Sequence, residues 1–185
     1  MKIFQNKRYL WSGMLLCGCI TFYAGATDVE FQMTYTLPTC SLTFDDGKTS
    51  LEYPLGTLLL GTQKDNYIPF TINVDCPDSR ALKTAITADV VSGDSVLQSG
   101  KDSVRMKVSN AQEEVVDSNS PELWLLTDAG QRVKLTGLES DAFCTKEATA
   151  TTPNTCKLKP VVSVPAQSAT GDFGVTMRFD VKYPL

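Results

Sequence analysis

Apolar and polar residues alternate most cleanly near the two ends of the chain. Val175, Met177, Phe179, Val181 and Tyr183 are apolar, separated by Thr176, Arg178, Asp180 and Lys182. Val29, Phe31, Met33, Tyr35 and Leu37 alternate with polar neighbours in the same way. A period of two is the signature of a strand with one buried face. Such strands at both termini raise the question of what they pair with, because chain ends that are not tied down fray.

Between them, short apolar runs recur without a helical period. SLTF (41–44) precedes a turn at Asp45-Asp46-Gly47. TSLEYPLGTLLLG (49–61) reads as an edge or bent strand, because Pro54 lacks the N–H that a ladder needs. IPFTINVDC puts Phe70, Ile72 and Val74 on one face. LKTAITADVV alternates weakly, through Leu82, Thr84, Ile86, Ala88 and Val90. SVRMKVS aligns Val104, Met106 and Val108, and LWLLTDAGQRVKL predicts a hairpin around Asp128-Ala129-Gly130. KPVVSVPA is a further strand. About nine short strands with no helix-length pattern predict an all-β fold, and a sandwich buries one-sided strands most readily. The polar stretch 109–122 and the Thr/Ala-rich stretch 144–156 read as surface loops. No internal repeat and no second domain is evident.

The first 26 residues read as a secretory signal peptide: Lys2, Lys7 and Arg8, a short apolar run, then Ala24-Gly25-Ala26. A membrane anchor is the rival reading, but the run is short for a span and holds Ser12 and three glycines. Leu16-Cys17-Gly18-Cys19 faintly resembles a lipoprotein cleavage site, yet the Ala-Gly-Ala site follows it. Cleavage after Ala26 removes three of the 17 basic residues and none of the 21 acidic ones, leaving 14 − 21 = −7. That charge argues against nucleic acid and against anionic membrane surfaces.

Cleavage also reduces six cysteines to four: Cys40, Cys76, Cys144 and Cys156. In an exported chain an even count reads as disulfides. Three pairings are possible, and Cys40–Cys76 with Cys144–Cys156 is preferred. Unstrained loops of those lengths are worth about 4 and about 3 kcal/mol in the chain-entropy picture. Zinc is disfavoured, and we expect no metal and no cofactor, because the chain has no C-x-x-C and no histidine. Without histidine, Ser-His-Asp triads are excluded as well. No S-x-x-K stands at the start of a helix, and Gly171-Asp172-Phe173-Gly174 reads as a turn rather than a phosphate loop. Trp124 suits sugar stacking in principle, but Leu123, Leu125 and Leu126 around it favour a buried strand residue. We expect no enzyme.

The stretch CSLTF…LEYPLGTLLLG…IPFTINVDC, with Cys40 and Cys76 bracketing Leu55-Gly56, resembles the first half of a chaperone–usher fimbrial (pilin) subunit of the type 1 and P-pilus kind. LWLLTDAGQRVKL resembles the later hairpin of that family. Gly171, then an alternating strand, then Tyr183 resembles its C-terminal ending. The set covers residues 27–185.

The resemblance implies a Cys40–Cys76 disulfide and an incomplete immunoglobulin-like β-sandwich, completed by a donor strand from another chain. It implies a 27–39 donor arm ahead of a 40–185 pilin domain. Val29, Phe31, Met33, Tyr35 and Leu37 would enter a neighbour's groove. Gly171, Val175, Met177, Phe179, Val181 and Tyr183 would border this chain's own groove and contact the chaperone. Implied partners are a periplasmic chaperone, an outer-membrane usher and neighbouring pilins, on a route from the periplasm to a cell-surface fimbrium. Three features depart from the family. Met33 stands where a small residue is usual, the arm is only thirteen residues long, and the chain runs one residue beyond the usual near-terminal tyrosine. The first two favour a minor or adaptor subunit over a shaft. The Cys144–Cys156 pair lies outside the family pattern. An alternative is a receptor-binding adhesin domain that meets a host receptor through loops 109–122 and 144–156.

Overall fold

A computed structural model describes residues 39–45, 47–77, 81–91, 95–109 and 114–184. The 1–26 leader and the arm residues Val29, Phe31, Met33, Tyr35 and Leu37 lie outside the described residues, as do Asp46 and Leu185.

Twelve strands and one 3-10 turn, Glu139–Asp141, make up the described elements. The strands form two antiparallel sheets. The larger runs in the order β1 (Ser41–Phe44), β3 (Phe70–Asp75), β10 (Asn154–Val164), β8 (Glu122–Thr127), β6 (Val104–Ser109) and β11 (Asp172–Gly174). On its margins β2 (Thr62–Lys64) pairs with β10, while β5 (Ser95–Leu97) and β7 (Glu114–Val115) pair with β6. The smaller sheet has the order β12 (Met177–Lys182), β4 (Leu82–Val90) and β9 (Phe143–Ala148).

In β3, β6 and β10 the inward face is the one the alternation predicts. Ile72 and Val74 in β3, Val104 and Met106 in β6, and Leu158 and Val162 in β10 are fully enclosed. They join Ile86 and Ala88 of the smaller sheet in one core. Each such aliphatic side chain contributes roughly 1.5–3 kcal/mol by leaving water. β4 departs from its pattern, because Ala85 and Thr87 on its other face are buried too. It is the central strand, and Lys182 and Asp180 stand directly opposite these two small residues on β12.

Several expectations are corrected. Residues 49–61 form no strand. Gly56 and Gly61 take positive φ angles of 73° and 72°, which β backbone does not use, so pairing begins only at Thr62. The 144–156 stretch is not a loop. Both its ends are strand, and Ala148 and Asn154 on either side of the turn are fully buried. Its threonines are β-branched and suit a pleated surface as well as a loop. Within 109–122, Glu114–Val115 pairs with β6. Gly171-Asp172-Phe173-Gly174 is not a turn, since Asp172–Gly174 is β11, paired with β6. The chain from Asp172 onward is therefore two strands in two sheets, with the crossing at Val175 and Thr176, and the alternating segment from Val175 supplies the second, β12. The Asp128-Ala129-Gly130 turn is present, closed by a bond from the Thr127 N–H to the Gln131 carbonyl at 2.9 Å. Its second arm contributes only a bridge from Arg132 to Leu126.

Both preferred disulfides are formed. Ser41 stands opposite Asp75, so Cys40 and Cys76 face each other across the ends of β1 and β3. Cys144 lies in β9 and Cys156 in β10, so the second bridge ties the smaller sheet to the larger. Trp124 is buried at 8% exposure, with the Arg132 guanidinium 4.4 Å above its ring, as expected of a strand residue.

Candidate functional site

The sandwich is open along one side. β12 pairs with β4 on one edge, and no described strand pairs with the other. Which backbone groups face that free edge follows from the ladder. The Val91 N–H bonds to the Thr176 carbonyl at 2.9 Å, in register with the Met177–Val90 pairing. In an antiparallel ladder such bonded pairs recur every second residue. Thr176, Arg178, Asp180 and Lys182 therefore direct their N–H and C=O groups to β4. Met177, Phe179 and Val181 direct theirs to the free edge. Buried backbone groups are almost always paired, so this edge stays open to a hydrogen-bonding partner or to water.

β1 guards one end of that edge. The Cys40 N–H donates to the Tyr183 hydroxyl at 2.8 Å, and the Phe44 and Phe179 rings meet edge-on at 6.1 Å. β1 thus runs beside β12 from Tyr183 to Phe179. Beyond Phe179 a groove opens, with a volume of about 800 Å³. One wall is residues 171–179, and the other is formed by residues between Thr49 and Leu58. Leu42, Phe44 and Phe70 form its floor near β1, and Leu123, Leu125 and Pro160 form it farther along. Leu125 and Pro160 are neighbours across the β8–β10 ladder. The floor is thus the inner face of the larger sheet.

Two tyrosines fix the second wall. Tyr53 donates to the Ile68 carbonyl at 2.6 Å, and Tyr67 donates to the Leu55 carbonyl at 2.8 Å. Their rings pack edge-to-face at 6.1 Å, and Tyr53 also meets Phe70 at 5.9 Å. Burial pushes both phenols above their ordinary pKa, and the neighbouring Tyr53 raises that of Tyr67 further. Lys64 sits 4.3 Å over the Tyr67 ring and covers it from solvent.

The sequence-predicted C-terminal residues divide between two places. Gly171, Val175, Met177 and Phe179 line the groove, whereas Val181 and Tyr183 lie half-buried beyond it, beside β1. The donor-arm set lies outside the described residues. The second wall, the floor leucines and Gly174 were not foreseen as site residues. The Leu-rich run at 55–60 is the sequence signal for the wall, but a short apolar run fits a strand equally well. Of the two loops behind the receptor-binding alternative, 144–156 is largely strand, with its turn at 149–153.

A volume of this size fits a small ligand as well as a strand. Shape and chemistry separate the two. The groove is long, its floor is apolar core, and the backbone groups along β12 form a row rather than a convergent cluster. Among the described residues no group of three or more His, Cys, Asp or Glu could hold a metal ion. No described helix is long and apolar enough to cross a membrane.

The chain matches no protein-family profile. It matches no curated protein. Among solved structures it is similar to the P pilus rod subunit PapA, at 17% identity and a TM-score of 0.47, over 85% of this chain and 100% of that one.

Proposed function

We propose that this chain is a structural subunit of a chaperone–usher fimbria, exported to the periplasm, assembled on the cell surface and supporting adhesion. Its work is non-covalent: its groove accepts a strand from another chain, and its 27–39 arm is given to the groove of a neighbour. The carrying observation is the free edge of β12, which aligns the backbone groups of Met177, Phe179 and Val181 above an open core. Strand addition satisfies such a row of donors and acceptors, and alternate side chains of the added strand fill the floor. A long apolar edge left unpaired is an aggregation hazard, so a chaperone must cover it before assembly. The bulky, short arm fits a minor or adaptor position.

The test is strand exchange. The full chain is co-expressed with its periplasmic chaperone, the complex is purified, and arm peptides are added while native mass spectrometry follows chaperone release. Release by an arm peptide, whether from this chain or from another subunit of the same fimbria, supports the reading. A chain that is soluble, monomeric and two-state in melting without any partner contradicts it. Phe31→Asp is expected to block incorporation into fibres while the chaperone complex stays soluble, because seating an unpaired charge on an apolar floor is costly. Normal assembly of that variant would show that the arm is not the donor.

A further inference from the structure

The threonine-rich hairpin between Cys144 and Cys156 has no part in strand addition. It leaves β9, the edge of the smaller sheet opposite β12, turns at 149–153 and returns as β10. Five of its eleven residues are threonine: Thr145, Thr149, Thr151, Thr152 and Thr155. Three of the five have a place in the fold. Thr145 lies in the β9 ladder, between the bridged Cys144 and Lys146. Thr155 Oγ1 donates to Asn73 Oδ1 at 3.0 Å. Thr149 Oγ1 accepts the N–H groups of Thr151 and Thr152, at 3.3 and 3.0 Å, and its own N–H donates to the Thr152 carbonyl at 2.9 Å. Thr149 alone therefore builds the turn. Thr151 and Thr152 are left at its tip, both exposed. A threonine in a turn is ordinarily explained by the backbone group that its hydroxyl binds. Among the described residues the Thr152 hydroxyl binds none, and that of Thr151 only approaches the Thr149 hydroxyl, at 3.4 Å.

We propose that Thr152, with Thr151 as a second acceptor, is a site of O-linked glycosylation. Thr-rich sequence with proline is the composition of O-glycosylated segments, and the fold leaves these two hydroxyls free to react. Their flanks are open, because Ala150 is small and Pro153 is exposed. Pro153 also keeps Thr152 out of the helical region, in extended backbone that a transferase can grip. The turn itself is fixed, by the Thr149 bonds at its tip and by Cys144–Cys156 at the base of the hairpin. The donor is a sugar carried on a diphosphate. The threonine Oγ attacks the anomeric carbon, the bond from that carbon to the diphosphate oxygen breaks, and the diphosphate leaves with the electron pair. A base of the transferase takes the hydroxyl proton. A sugar at this tip stands on the side away from β12, so it leaves the groove open. The site does not depend on the strand-addition reading.

The experiment uses the natural chain, purified from the bacterium that makes it, then reduced, alkylated and cut with trypsin. Cleavage after Lys146 and Lys157 isolates residues 147–157. Mass spectrometry is expected to find this peptide carrying one or more sugar masses, and electron-transfer fragmentation is expected to place them on Thr152 or Thr151. The double variant Thr151→Ala with Thr152→Ala is expected to lose the sugar, while Thr152→Ser, which keeps a hydroxyl, is expected to retain it. Amide hydrogen exchange of the buried Asn154 and Cys156, unchanged in the double variant, separates a missing acceptor from a hairpin that has failed to form. A peptide found only bare overturns the proposal. So does a sugar on Thr149 or Thr155, a sugar that persists in the double variant, or a hexose attached only to lysine, which marks adventitious glycation.

Discussion

Asn154 shows how much a single polar residue can hold in this fold. It is fully buried at the start of β10. Its Nδ2 donates to the Thr84 hydroxyl at 3.0 Å and to the Cys144 carbonyl at 2.8 Å, and Thr84 in turn donates to the Lys146 carbonyl at 3.1 Å. One amide therefore links β10 of the larger sheet to β4 and β9 of the smaller, beside the Cys144–Cys156 bridge. Replacing it with alanine strands buried groups without a partner. Asn154→Ala is expected to cost about 1–3 kcal/mol in chemical denaturation of the assembled protein. A change below a few tenths of a kcal/mol would show that the network carries no weight. This residue was not legible in the sequence, where it stood in an apparent loop with its partner Thr84 seventy positions away. Tyr183 was legible as part of an alternating strand. Its hydroxyl bond to Cys40 was not, because periodicity reports which face a side chain takes and says nothing of its tip.

At the scale of elements, alternation served well wherever a strand has one buried face. β3 and β6 follow it residue by residue. It failed where other forces dominate. The 49–61 run is apolar enough to suggest a strand, but its glycines bend the backbone out of the β region and two tyrosines hold it instead of a ladder. That substitution has a pH signature. Tyr53 and Tyr67 donate hydrogen bonds that phenolates cannot make, and burial raises both pKa values. A phenol whose pKa is raised on folding stabilises the fold while protonated. That contribution is complete below the ordinary tyrosine value of about 10 and is lost as pH rises from there through the raised value of the folded state. Thermal melting is therefore expected to fall above about pH 10. The double variant Tyr53→Phe with Tyr67→Phe is expected to flatten that fall, at the cost of a lower melting temperature at neutral pH. An unaltered alkaline limb would show that the wall is held some other way.

At the largest scale, the described residues form two sheets closed at one side and open at the other. β9, the edge of the smaller sheet remote from the groove, is tied to β10 by Cys144–Cys156. β12, the opposite edge, meets the larger sheet only near β1 and then leaves the core uncovered. Cys40–Cys76 anchors β1 at that point. Cys40→Ser is expected to lower periplasmic yield and to cost about 4 kcal/mol. Equal yield and an equal melting temperature would show that the bridge is dispensable. The all-β class and the C-terminal wall could be read from the sequence because both are period-two patterns. The opening itself could not be read that way, since alternation looks the same in a strand with a neighbour on both edges and in one with a neighbour on one. Amide hydrogen exchange along β12 tests the opening most directly. The Arg178 and Asp180 amides face β4 and are expected to be protected in every form of the chain. The Met177, Phe179 and Val181 amides are expected to be protected while a strand covers the edge, in the chaperone complex and in the fibre, and to exchange rapidly in a brief pulse applied as the chaperone is stripped from the chain. Equal protection of both sets in the stripped chain, or rapid exchange at Met177, Phe179 and Val181 in the fibre, would contradict strand addition at this edge.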